Sequence, residues 1–394
     1  MNEIVFVLFL LSGAVKPFLI YYDIKTIIDF TLLAGIILAW LMINDLIRSR
    51  FVIQLNVLAR CSVLLLILLF ILIIFSIFYT TSESYFYEKI VQFFTVILGF
   101  IFPLIIKDFS VKIFFKWFVV ISTILALIFL PLYITSYQSF IVDYAYFQNT
   151  SLKLIYQSYL TMGYLLAMAL IINLFFPVFS GGIRVFISLF LFMTLLVTGA
   201  RGALFGLFTV LMFFPFYKGF KFNIPKIRSI FAFSIISGFL IAYTVTKMDI
   251  SDLLERTYDR IVNIAYDAST DERLEHAQFV IKKLNTEHLV FGYGFGSYGF
   301  EKTGIDERLY PHNILLEILF ELGVFGVLIY VLFLAVMIKQ LSNIGQYFPW
   351  ALFAYLVFNS FKSLSLSDSR ILFGIFSVFL IYKIYLINPK KGYK

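Results

Sequence analysis

The sequence predicts an all-α polytopic membrane protein, with about 12 transmembrane helices joined by short connections and one large external loop. Hydrophobic residues make up 61% of the chain and charged residues 14%, with a mean hydropathy of +0.96; a soluble domain has about half and about a quarter. Apolar runs near the roughly 20 residues that a spanning helix needs recur from one end of the chain to the other. None alternates with period two, as the strands of an outer-membrane barrel would, so the backbone groups are expected to be satisfied within helices.

Taken in order, the candidate spans are 3–15, 27–44, 57–79, 90–106, 117–136, 157–179, 184–199, 202–217, 229–246, 312–338, 349–362 and 371–387. The first residues, "MNEIVFVLFLLSGAV", have no basic leader and no clear small-residue cleavage site; they read as a first span and not as a signal peptide. The 394 residues form a single integral membrane domain, with no room for a sizeable soluble enzymatic domain. The net charge of +8 resides in short loops, as cytoplasmic loops do, and this argues against nucleic acid as a partner. Cys61 is the chain's one cysteine, so no intrachain disulfide forms. Sixteen Lys and Arg fall in one set of short connections and seven in the alternate set, which puts both termini in the cytoplasm.

The large loop, 247–311, then lies outside. Within it "STDERLEHAQFVIKKLN" reads as an amphipathic helix along the membrane face, with Ser269 and Glu272 at capping-box spacing and Leu274, Ala277, Phe279, Val280 and Ile281 as its apolar side. After it, Gly292, Gly294, Gly296 and Gly299 in "VFGYGFGSYGFEKTG" break regular structure.

Two residues stand out as chemistry. Arg201, in "LLVTGARGALFGLF", sits between two apolar runs with almost no loop. A guanidinium there either snorkels to the interface or meets an anion, and its planar fork suits phosphate. Arg273, and Arg260 or Arg256 upstream, could add positive charge; each also reads as a solvated loop residue. His312 follows Pro311 at the start of an apolar run, where a neutral imidazole can accept a proton; a histidine merely satisfied at a helix start is the alternative. Asn313 beside it would cap the helix or bind substrate. His276 and His288 read as surface residues, and their spacing from His312 suggests no metal-ligand motif. The chain has no phosphate loop, HExxH, CxxC or GxSxG, which argues against nucleotide-driven transport, metalloprotease chemistry and serine hydrolysis.

The turn "TGARGAL", the loop with its arginine-bearing helix, "LVFGYGFGSYG" and "HNILLEILFELGVFG" together resemble the O-antigen ligase and polymerase superfamily. The resemblance covers 198–339, and its most specific part is His312 followed by Glu317, Glu321, Gly323 and Gly326. It implies a metal-independent, inverting membrane glycosyltransferase that needs no cofactor. It implies a glycan on undecaprenyl diphosphate as donor, used at the periplasmic face of a bacterial inner membrane. In that frame Arg201, Arg273 and Arg260 bind the diphosphate, His312 serves as base, and Asn313 and Glu321 lie at the acceptor side of the helix start. The compact loop and the AT-rich composition lean towards a repeat-unit polymerase of O-antigen or capsule, with a chain-length regulator as a further partner. A ligase transferring glycan to lipid A core is the alternative within the family. A lipid-linked oligosaccharide flippase is the rival of another class, but would carry ionisable groups at mid-membrane, where these spans are nearly charge-free.

Overall fold

The computed structural model of the protein describes residues 2–24, 29–50, 55–142, 147–148, 150–176, 178–213, 268–284 and 286–387. Among them the regular structure is helical throughout, without a strand. In chain order the helices are α1 (Asn2–Tyr21), α2 (Phe30–Arg48), α3 (Val57–Phe75), α4 (Ser84–Ile105), α5 (Val111–Val142), α6 (Leu152–Gln157) and α7 (Tyr159–Phe175). There follow α8 (Gly181–Thr198), α9 (Arg201–Phe213), α10 (Ala268–Lys283), α11 (Tyr298–Thr303), α12 (Ile314–Ile344), α13 (Tyr347–Ser363) and α14 (Arg370–Ile387). Seven of these, α1 to α5, α8 and α12, are long and apolar enough to cross a membrane; α7, α9 and Arg370–Tyr382 are shorter apolar helices. The expected run 229–246 lies outside the described residues.

Local sequence sets several helix starts. Asp29 caps α2 by accepting from the Thr31 N–H, and Asn56 caps α3 by accepting from Ala59. Large apolar side chains such as Trp40, Leu64, Phe94 and Phe205 remain exposed on the flanks of the bundle. Apolar surface on that scale suits lipid and not water.

The connections gather at two ends. At one end Lys107 N–H donates to Asp45 at 2.8 Å and Arg184 Nε to the Asn173 carbonyl at 2.7 Å. The other end, here the loop end, holds the connections before α4, between α8 and α9, before α12 and between α13 and α14. Thr80 donates to the Phe295 carbonyl at 3.0 Å, Arg308 pairs with Asp368 at 2.7 Å, and Lys362 rests on Gly202.

The glycine-rich segment is irregular, and it is embedded. Gly323, at φ +66° and ψ −164°, breaks α12. Residues 289–294 satisfy the backbone groups that the break exposes: Tyr293 and Gly294 donate to the carbonyls of Phe320 and Glu321, each at 2.9 Å, while Val324 donates to Leu289 at 2.9 Å. A Cβ on Gly323 would lie 2.2 Å from the Val290 oxygen, and one on Gly292 2.4 Å from the Glu321 carbonyl carbon. Both residues also have positive φ, so glycine is required at each by backbone conformation and by space.

The helix expected along the membrane face is α10, but its burial differs from the expected apolar side. Leu274 and Ile281 are exposed, whereas Val280 is buried with Tyr293, Tyr298 and Phe320, and Phe279 packs against that cluster. The helix docks on the start of α12 through a narrower stripe, one that includes His276. Ser269 lies in the helix that begins at Ala268, and its side chain is outside the description, so the capping box is untested.

Asp306 ties the loop to the bundle. Its carboxylate accepts from Ser82 Oγ, from Ser84 Oγ and from the N–H groups of Glu83, Ser84 and Tyr85 at the start of α4. Burial pushes its pKa up, but these hydrogen bonds outweigh burial and hold it below the ordinary value. Asp306→Ala is expected to cost about 1–2 kcal/mol, the scale of a lost helix cap, and to speed proteolysis within residues 284–310. The wild-type tie is present above the unfolded carboxyl pKa of about 4 and is lost as pH falls through the lowered value. Unchanged proteolysis in the variant would show that the loop is held elsewhere.

Candidate functional site

His312 stands immediately before α12 with φ +54°, a left-handed conformation seldom taken by a non-glycine residue. Holding it there costs on the order of 1 kcal/mol, offset by the fixed residues on either side. Pro311 restricts the chain before it. After it, the Asn313 side chain accepts from the Leu315 and Leu316 N–H groups at 2.9 and 3.1 Å. Of the two roles expected for Asn313, the geometry shows the cap. The His312 ring lies 4.6 Å from that of Tyr310 and 5.6 Å from that of His276. Burial, and then the Arg273 guanidinium, lower the imidazole pKa, outweighing the opposite pull of Glu272 and Glu317. The ring therefore favours its neutral, proton-accepting form.

His276, expected at the surface, is 2% exposed. Its Nδ1 meets the Tyr298 hydroxyl and lies 3.2 Å from Lys302 Nζ, while Nε2 is 3.9 Å from Glu272. Glu272, His276 and His312 bring potential ligand atoms within 4.8 Å of one another, a proximity that their sequence spacing does not suggest. The positive charges of Lys302 and Arg273 beside them oppose a cation there.

Positive charge collects around the same end. Gly199, at φ +61°, closes α8 and turns the chain so that Arg201 opens α9. Arg273 is half-buried on α10. Lys362, in the last turn of α13, feels the charges of both Arg273 and Arg201. The Arg273 charge thus acts on both His312 and Lys362, and the Arg201 charge acts on Lys362. Arg260 and Arg256 lie outside the described residues.

Glu321 is not at the helix start. Two turns along α12 it is 1% exposed and accepts from Lys89 Nζ at 2.6 and 2.7 Å. Glu317, also 1% exposed, meets the same ammonium at 2.6 Å and accepts from Ser365 Oγ and the Leu366 N–H. Spans expected to be nearly free of charge therefore hold a buried triad near the loop end. Both carboxylate oxygens of Glu321, expected at the acceptor side of the helix start, are engaged by Lys89.

Lys89, Lys362 and His276 are the residues that sequence reasoning passed over. The first two entered only as loop charges in the orientation count. Their one sequence signal is that each is a lysine at the edge of an apolar run, and their partners lie far away along the chain.

Chemically, a neutral imidazole beside convergent guanidinium and ammonium groups can remove a proton from a hydroxyl while anionic charge is held nearby. Comparison with known proteins gives this arrangement a context. Residues 186–331 match the family model described as O-antigen ligase. The chain is 29% identical over 137 residues to a "putative polysaccharide ligase" of Rickettsia conorii, covering 32% of each chain. It is likewise 29% identical over 133 residues to a Rickettsia felis protein of the same description, covering 30% of this chain and 31% of that one. The matches thus span about a third of these relatives' length. Arg201, Arg273 and His312 fall within the family match, and Lys89 and Lys362 outside it.

Proposed function

We propose, on the premise that the chain belongs through residues 186–331 to the O-antigen ligase superfamily, that it is a membrane glycosyltransferase acting on glycan carried by undecaprenyl diphosphate. The observation that carries this reading is the placing of basic groups beside His312 at one end of a helical bundle: the Arg273 charge acts on His312, and the Arg273 and Arg201 charges both act on Lys362, which rests on Gly202 next to Arg201. The acceptor hydroxyl attacks the anomeric carbon and gives its proton to His312, while the bond from that carbon to the diphosphate oxygen breaks. Arg201 and Arg273 hold the charge that develops on the leaving diphosphate, and Arg260 is a third candidate for that role. Attack opposite the leaving group inverts the anomeric centre, and no step in this scheme draws on a metal ion. The site faces the periplasm, with both termini in the cytoplasm of a bacterial inner membrane.

The two Rickettsia relatives' name, polysaccharide ligase, supports the ligase form of this reaction, in which we take lipid A core as the acceptor. Repeat-unit polymerisation, with a second lipid-linked unit as acceptor and a chain-length regulator as partner, is the reading that the composition and the compact external loop favour. Deleting the gene separates the outcomes: no glycan on the core indicates ligase, core capped with single units indicates polymerase, and failure of units to reach the outer face indicates a flippase and rejects the transferase. Arg201→Lys keeps the charge but loses the two-pronged hydrogen bonding, so transfer is expected to fall at least tenfold, at ~1.5–3 kcal/mol per charge-assisted bond. Near-normal transfer by Arg201→Lys in membranes would reduce Arg201 to an interfacial anchor.

A further inference from the structure

We infer that Lys362 is a further leaving-group-binding residue, gripping the diphosphate together with Arg201 and Arg273; the inference rests on the transferase reading above. Lys362 lies outside the segment matched to the family and more than 150 positions from Arg201 along the chain, so only the fold puts it there. Its side chain runs along the first turn of α9: a Cβ built on Gly202 would lie 3.1 Å from Lys362 Nζ, 3.3 Å from Cδ and 3.4 Å from Cε. The ammonium therefore sits against the residue next to Arg201, where any side chain would displace it.

The electrostatics of this position are unfavourable. Lys362 is half-buried, and the charges that act on it are those of Arg273 and Arg201, both of its own sign. Among the described residues no carboxylate forms an ion pair with Lys362 or with Arg273. Three carboxylates at this end are committed elsewhere: Glu317 and Glu321 to Lys89, and Asp368 to Arg308. A snorkelling lysine would point away from like charge and towards water. This one lies over Gly202 within reach of the charges of two guanidiniums, an arrangement that an anion with several oxygens relieves by bridging the three groups. A diphosphate leaving group supplies such an anion, and its charge increases as the anomeric bond breaks.

The test uses the full-length protein in lipid nanodiscs, with inorganic pyrophosphate as probe, read both by direct calorimetric binding and by inhibition of glycan transfer. Lys362→Met is expected to weaken pyrophosphate binding about tenfold to a hundredfold, the range of one charge-assisted contact, with a matching rise in the inhibition constant. Lys362→Arg is expected to keep most of the binding. Gly202→Val retains every charge but fills the space under the ammonium; it is expected to weaken pyrophosphate in the same direction and keeps the question answerable if Lys362→Met fails to fold. If Lys362→Met and Gly202→Val both bind pyrophosphate as the wild type does while Arg201→Met does not, Lys362 is an interfacial anchor and this inference falls, with the transferase reading intact. If Arg201→Met and Lys362→Met both leave binding unchanged, or the wild type binds no pyrophosphate, the assignment of a diphosphate to this site falls as well.

Discussion

His312→Asn is expected to lower glycan transfer by about 10²- to 10⁴-fold, the contribution of a positioned general base, with the protein still folded in the membrane. Asparagine is the informative replacement because it tolerates the left-handed conformation at φ +54°, whereas alanine would add backbone strain to the loss of the ring. The start of α12 does not depend on the imidazole, since the Asn313 cap and the buried Glu317 hold it. A pH profile separates a base from a mere packing residue. Burial and the Arg273 charge lower the His312 pKa, so the acid limb of activity is expected below the ordinary imidazole value of about 6.5. Removing the Arg273 charge removes the largest of the charges disfavouring the imidazolium, ahead of Lys302. Arg273→Gln should therefore shift the acid limb to higher pH, in addition to any loss of diphosphate binding. Wild-type transfer by His312→Asn, or an acid limb that does not move in Arg273→Gln, would remove the histidine from the mechanism.

The all-helical, apolar character of the chain was legible because hydropathy is a local property, readable over twenty residues at a time. Gly292, Gly294 and Gly323 were legible as breaks, but their purpose was not. It takes the fold to show that 289–294 satisfies the backbone where α12 breaks. Arg201 and His312 drew attention as polar residues in apolar settings. Lys89 did not, since a lysine at the edge of a span is ordinary; what distinguishes it is Glu321, 232 positions away. Lys362 escaped notice for the same reason, and His276 because a helix with Leu274 and Ile281 appeared to offer a better apolar side. The exposure of those two residues while a histidine is buried follows from docking on Tyr298 and Phe320, a surface absent from the helix's own sequence.

Lys89→Met is expected to be the most destabilising single change in the chain's polar interior. The ammonium is fully buried and faces two buried carboxylates, with a further contact to the Phe295 ring whose centroid is 4.6 Å away. Removing it leaves Glu317 and Glu321 without their counter-ion in a low-dielectric site, and breaking a buried pair in this way typically costs about 3–5 kcal/mol. The damage should spread along identifiable bonds. Glu321 carries the carbonyl to which Gly294 donates, and Glu317 holds the Leu366 N–H. The glycine-rich segment and the connection that follows Lys362 should therefore loosen together, seen as faster hydrogen exchange at 289–296 and 364–369 and a lower thermal midpoint in detergent. The cause is uncompensated charge and not lost volume, so Lys89→Met combined with Glu317→Gln and Glu321→Gln should recover much of the stability. If the triple variant is no more stable than Lys89→Met alone, shape and hydrogen bonding dominate at this position. If Lys89→Met is as stable as the wild type, the triad does not hold the broken helix in place, and the rigid mounting of His312 must be sought in Asn313 and Asp306.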